Sequence, residues 1–339
     1  RRISLLFISL ILIASLVGCG GKHTSPITTV TKILFTFTDS GSGSGIGSIN
    51  SDGTNRTVLR DSSSANEFPV WSPDKTKIAF ASQADGDWEI YVMNADGIGL
   101  TQLTSNSDYD YNPSWSPDGQ QIAFASDRDG NREIYVMNAD GSAPTNLTGN
   151  SEQDDKPCWS PVDNRIVFTS DRLGSGNREV FVMNSAGSNV VNISNNSGSD
   201  DKPSWSPDGT KIAFISGETS IHVAASADGS GEVILPGEAS QDYFPRWSPN
   251  GASVLFVNYA SKNTNICRSN ADGSGSAAIL TDSGKDSEPI WTPDGTRVVF
   301  VSNRNGNQEL YLMSSDGSNE VNITNSAEIG EFDPVGLPY

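Results

Sequence analysis

Three residues before a recurring proline stand Asn66, Asp110, Asp154, Asp200, Asp242, Asp286 and Glu331. Six of these seven are carboxylates, and Glu67, Asp155, Asp201, Glu288 and Asp333 lie closer still to the prolines. No tight-turn signal demands acids there. If the fold gathers them into a ring, their like charges raise the local potential and cost stability. Three arrangements would offset that cost: capping of loop amides, a bound cation, or a basic segment of a partner. Asp110, Asp154, Asp200, Asp242, Asp286 and Glu331 are therefore the candidate cation- or partner-binding set. Changing Asp110, Asp154, Asp200 and Asp242 to Asn is expected to weaken binding of a cationic partner and to raise thermal stability.

A second acidic pattern alternates oxygen ligands at Asp127, Asp129, Asn131 and Glu133, in a way similar to a calcium loop. Asp85, Asp87 and Glu89 repeat it in part, as do Asn303, Asn305, Asn307 and Glu309. The spacing of a full EF-hand loop is absent. A hairpin turn with Arg128 reaching Glu133 accounts for the same residues. Calcium is the one cofactor the sequence points to. Nucleophilic catalysis finds little support, because His23 and His222 are the two histidines and no Gly-x-Ser-x-Gly elbow or zinc motif is present. Cys158 and Cys267 are expected as free, small, buried side chains.

These residues sit on a repeat. Trp71, Trp115, Trp159, Trp205, Trp247 and Trp291 are spaced 44, 44, 46, 42 and 44 residues apart. Such a period marks a repeat architecture. In the copy from Pro113 to Gly141, Pro113-Ser114-Trp115 is a short extended piece and Ser116-Pro117-Asp118-Gly119 a tight turn. Strands follow at 121–126, 133–138 and 145–148, the first two joined by a turn at 127–131. Four strands in one period make a β-propeller blade. The second-strand phenylalanine recurs seven times, from Phe35 to Phe300, and so does the turn glycine, from Gly53 to Gly317. The Pro-x-Trp strand recurs only six times, with Asp333-Pro334-Val335-Gly336 in the seventh place. The expectation is an all-β, seven-bladed propeller rather than a six-bladed one, with N- and C-terminal strands closing one blade. The repeat PxWSPDGxxIAFxSxRxGNxEIYxMNxDG resembles that of the TolB-like β-propeller family, a relative of the WD-type repeat, over roughly residues 31–336. The resemblance implies the propeller, and more distantly a Tol–Pal-type role in envelope integrity or transport. The fifth and sixth copies depart from the pattern at Ile221-His222-Val223-Ala224-Ala225 and Ile266-Cys267-Arg268-Ser269.

Residues 1–18 carry two arginines and an apolar run of signal-peptide length. They end in Leu16-Val17-Gly18-Cys19, which resembles a bacterial lipobox with Cys19 as the lipidated residue. Residues 19–30 read as a flexible tether and 31–339 as the propeller. Export and lipid anchoring to a bacterial membrane, on the periplasmic or cell-surface face, are expected. The formal net charge of −19 disfavours nucleic acid as a partner. A monomeric, non-catalytic binding or scaffold protein is expected, taking a cell-envelope protein, a basic peptide segment or a cation on an acidic channel face. The alternative is a lyase or hydrolase acting on extracellular or cell-wall polysaccharide, with paired carboxylates as acid and base.

Overall fold

The structure is a computed structural model that describes residues 30–39, 43–174, 176–217, 219–237, 242–260, 263–281, 284–326 and 330–336. The readings of residues 1–18 as a leader, Cys19 as a lipidation site and 19–30 as a tether fall outside the described residues, Val30 apart.

Seven four-stranded antiparallel sheets follow one another along the chain. In the third, Asp110–Trp115 is innermost, followed outward by Gln121–Ser126, Glu133–Asn138 and the two-residue strand Thr145–Asn146. The first blade is closed by the two ends of the chain. Gly330–Val335 supplies its inner strand and pairs with Lys32–Thr38, with Phe37 opposite Glu331. The seven-bladed count and the shared closing blade are thus as the sequence analysis expects.

The alternation of each second strand explains how blades stack. Phe35, Phe80, Phe124, Phe168, Phe214, Phe256 and Phe300 are all fully buried. Each of seven apolar clusters joins two neighbouring blades, and the last joins blade seven to blade one, with Phe35 and Ile49 beside Val301 and Leu310. The tight turns repeat the same local chemistry. Ser116 Oγ donates to Asp118 Oδ1 (2.6 Å), which also accepts the Gln120 amide (3.0 Å). These bonds hold the Asp118 carboxyl below its usual range. Gly141 closes the next turn at φ +87°, where a Cβ would lie 2.8 Å from the Leu103 carbonyl.

One boundary differs from expectation, and it matters for function. The inner strands begin three residues before the proline, at the acidic position itself: Asp110 pairs with Ser126 and Asp154 with Ser170. The acids are the first rung of a ladder rather than members of a loop.

Candidate functional site

That placement decides what the acidic positions do. Asn66, Asp110, Asp154, Asp200, Asp286 and Glu331 are all fully buried. Asp242 begins its inner strand opposite Asn258. Arg128 Nη2 reaches Asp110 at 2.7 Å, Arg172 reaches Asp154 at 3.0 Å, Arg304 reaches Asp286 at 3.2 Å, and Arg56 reaches Glu331 at 3.0 Å. Each of these guanidinium groups lies over the aromatic pair of its own blade. Arg128 is 5.5 Å from the Phe124 ring centre and 4.7 Å from that of Tyr135. Asn106, Asn150 and Asn196 add a side-chain amide bond to Asp110 (2.7 Å), Asp154 (2.5 Å) and Asp200 (2.9 Å). Five of the six candidate acids are therefore held between blades by this chain's own donors.

A third-strand glutamate of the preceding blade comes against these acids. Asn106 bonds both Glu89 and Asp110; Asn150 bonds both Glu133 and Asp154; Asn196 bonds both Glu179 and Asp200. Burial pushes Glu89 up to about 7, with the Asp110 charge adding to it, and raises Glu133 and Asp200 as well. Among the described residues, Asp110 Oδ1 and Asp200 Oδ1 are buried and accept no hydrogen bond. A second carboxylate packed this close disfavours ionisation of the first, which adds to the effect of burial. Where the preceding blade has Gly45 in place of the glutamate, the following acid is replaced by Asn66, which bonds the Ser44 carbonyl instead (2.8 Å).

The structure does not bring the proposed calcium ligands together. Asp129 accepts from the Tyr135 hydroxyl and from Asn146. Asn131 donates to Glu133 (3.0 Å) and to the Asn150 and Glu152 carbonyls. Glu133 is buried against Thr148 and the Asn150 amide, and Asp127 faces Arg132. Asp85, Asp87 and Glu89 do converge, with ligand atoms within 4.8 Å of one another.

The residues that face open space are those immediately before the prolines. Every inner strand carries an irregularity in register at this point, between Tyr111 and Ser114 in blade three and at the matching positions elsewhere. The bulged residue is left-handed in all seven blades: Phe68, Asn112, Lys156, Lys202, Phe244, Glu288 and Asp333 have φ between 48° and 59°. Non-glycine residues rarely adopt this conformation, and it costs about 1 kcal/mol or more at each. The bulge turns one side chain per blade inward, and all seven line a cavity of about 410 Å³ along the channel. Pro69, Pro113, Pro157, Pro203, Pro245 and Pro334 form its wall, joined by Cys158 and Arg246.

Charge is segregated around this ring. Blades four and five contribute Lys156 and Lys202, and blade six adds the exposed Arg246 beside Phe244. Blades seven and one contribute Glu288 and Asp333, and blade two contributes Phe68. Lys156 Nζ is 2.5 Å from Asp201, whereas Lys202 Nζ rests 3.8 Å from the Phe244 ring centre. Burial and the nearby Lys156 charge lower the Lys202 ammonium from its usual value. On the other side burial and Asp333 push Glu288 up to about 7, although it accepts the Asp333 amide at 2.6 Å. Asp333 is raised by burial, and so is Glu67. Sequence reasoning passed over the position before the proline as a set. The available signal was internal to the repeat: in copies otherwise nearly uniform, this residue varies among Phe, Asn, Lys, Glu and Asp.

On the divergent strand Ser220–Ala225, His222 packs at a tilt against Phe214, at the position where blades two, three, four and seven have Tyr or Phe. Its Nε2 is 2.9 Å from Ser220 Oγ and its Nδ1 2.6 Å from Glu232. Neither Cys158 nor Cys267 forms a disulfide among the described residues.

Comparison with known proteins is consistent with this architecture. The TolB beta propeller domain family matches residues 33–172 and 156–332. None of the curated proteins compared with the chain matches it. The crystal structure of TolB from Acinetobacter baumannii is similar at 23% identity and TM-score 0.58, over 77% of this chain and 66% of that one. The putative TolB from Agrobacterium tumefaciens is similar at 17% identity and TM-score 0.53, over 92% of this chain and all of that one. An oligogalacturonate lyase in complex with manganese is similar at 14% identity and TM-score 0.65, over 87% of this chain and 86% of that one. At these identities the likeness is one of fold.

Proposed function

The chain belongs to the TolB beta propeller domain family, and on that premise we propose that it is a non-catalytic binding protein of the cell envelope. Its contact surface is the ring of seven bulged side chains in the channel, and its partner is a protein segment that enters the mouth. The observation that carries this reading is the ring itself: seven strained backbone positions in register, each presenting a different side chain to one cavity. Strain maintained at a cavity wall is a mark of a functional surface. The buried acids of the inner strands are fasteners that hold the ring in shape. Export and anchoring through Cys19, and a Tol–Pal-type role in envelope integrity, are the wider setting in which such a protein would act.

The test is a photo-crosslinking amino acid placed at Asn112 in the full chain, irradiated in intact envelopes, with Ile98 on the exposed outer rim as control. A discrete protein adduct is expected from Asn112 and none from Ile98. Adducts of equal yield from both positions, or from neither, would remove the reading.

A second reading has one observation in its favour. Ser220, His222 and Glu232 stand in the order nucleophile, base and orienting acid, at hydrogen-bonding distances. A hydrolase reading predicts that a fluorophosphonate probe labels Ser220, and that Ser220→Ala abolishes labelling. The binding reading predicts no label above that of the variant.

A further inference from the structure

We propose that the channel ring recognises a zwitterionic peptide group, with its ammonium held by Glu288 and Asp333 and its carboxylate held by Lys202 and Arg246. This deepens the binding reading above and rests on its assignment of the bulge ring as the contact surface. The four charged residues come from three consecutive inner strands and the closing one: Lys202 from blade five, Arg246 from blade six, Glu288 from blade seven and Asp333 from blade one. Phe244 lies between the two signs and carries the Lys202 ammonium on its face, 3.8 Å from the ring centre. All of them line the same cavity.

The charges are incompletely matched within the protein. The Lys156 ammonium is taken by Asp201, 2.5 Å away, while that of Lys202 rests on the Phe244 face with the Tyr243 ring centre 5.6 Å away. Glu288 accepts the Asp333 backbone amide and lies beside that residue's own carboxylate; Lys202 and Arg246 act on both acids through space, but no lysine or arginine reaches either within 4.0 Å among the described residues. A cation offered to the acid pair and an anion offered to Lys202 and Arg246 would relieve both imbalances at once. A ligand with one charge would relieve one and leave the other side desolvated and unmatched. The proline wall and the two phenylalanines supply apolar contact for whatever joins the two charges. A free amino-acid-like zwitterion and an internal stretch of chain bearing both charges share this chemistry.

The experiment is calorimetric titration of the full chain with dialanine, N-acetyl-dialanine, dialanine amide, and a doubly capped Lys-Ala-Asp peptide. Saturable binding with a Kd of about 1 mM or tighter is expected for a zwitterion of this size. Removing either charge of dialanine by capping is expected to weaken it at least about tenfold. Lys202→Met should abolish the discrimination against the amide, and Glu288→Gln with Asp333→Asn should abolish the discrimination against the acetylated form. Preference for dialanine assigns the site to a free zwitterion, and preference for the capped tripeptide assigns it to an internal segment. Equal binding of singly charged and doubly charged ligands, or no saturable heat from either zwitterion, overturns the proposal. An Asn112 adduct in envelopes without zwitterion selectivity leaves the binding reading standing and sinks this one. Selectivity without an adduct does the reverse.

Discussion

Asp154→Ala is expected to destabilise the fold by about 3–5 kcal/mol, the range found when one partner of a buried ion pair is removed. Asp154 is fully buried and accepts from Arg172 at 3.0 Å and from Asn150 at 2.5 Å. Arg172 is held over Phe168 and Phe181, 5.0 and 4.8 Å from their ring centres, and has little freedom to seek water. Truncation would leave a guanidinium without its counter-charge and an amide without its acceptor, both between blades. The sequence alone suggests the opposite sign, because carboxylates gathered at a mouth repel one another. In the structure the acids occupy separate compartments between blades, most with an arginine, so local loss outweighs any relief. Asp201→Ala is the contrasting control. Its partner Lys156 and Asp201 itself are both about one-third exposed, with side-chain exposures of 33% and 28%, and such pairs contribute about 0–1 kcal/mol. Chemical denaturation of the two variants reads the difference directly. An unchanged or higher midpoint for Asp154→Ala would show that the acid ring is repulsive rather than structural.

Thermal stability is expected to fall as pH rises from about 5 to about 8. Glu89 and Glu288 both hold their protons up to about 7 in the folded chain, each chiefly because of burial, against an ordinary value of 4.5. A group whose folded value is raised binds its proton more tightly in the fold than in the unfolded chain. Its contribution is fully present below the ordinary value and is lost as pH rises through the folded one. The turn aspartates Asp74, Asp118, Asp208 and Asp294 shift the other way. They are ionised in both states throughout this window, so they do not mask it. The double variant Glu89→Gln, Glu288→Gln mimics the protonated pair and should flatten the profile. A wild-type melting temperature that is constant or rising over the window, with the variant unchanged in shape, would contradict the assignment of those two protons.

Much of this fold could be read from spacing. The tryptophan period, the second-strand phenylalanines and the turn glycines gave blade number, strand order and the shared closing blade, because each is demanded by local geometry that repeats. The site was less legible for two physical reasons. First, an acid three residues before a proline looks like a loop residue until the strand is known to start there; pairing of Asp110 with Ser126 is a tertiary fact. Second, the inward turn at Asn112 or Lys156 depends on a bulge with left-handed backbone, and no glycine marks it. Lysine and phenylalanine there carry no conformational signal, so only their variation within a uniform repeat could have pointed to them. The partners of the hairpin acids were hidden for a related reason: Tyr135, Asn146 and Thr148, which bond Asp129 and Glu133, come from outside the alternating stretch 127–133.

The central claim is that the bulge ring contacts the partner while the buried acids only hold the ring. Photo-crosslinking from Asn112 in intact envelopes, repeated in a Lys202→Met, Glu288→Gln background and in an Asp154→Ala background, separates the two roles. The account predicts loss of the adduct in the first background with the melting temperature retained. It predicts the adduct kept per folded molecule in the second, with stability lowered. An adduct that survives the ring substitutions and disappears from folded Asp154→Ala protein would contradict it.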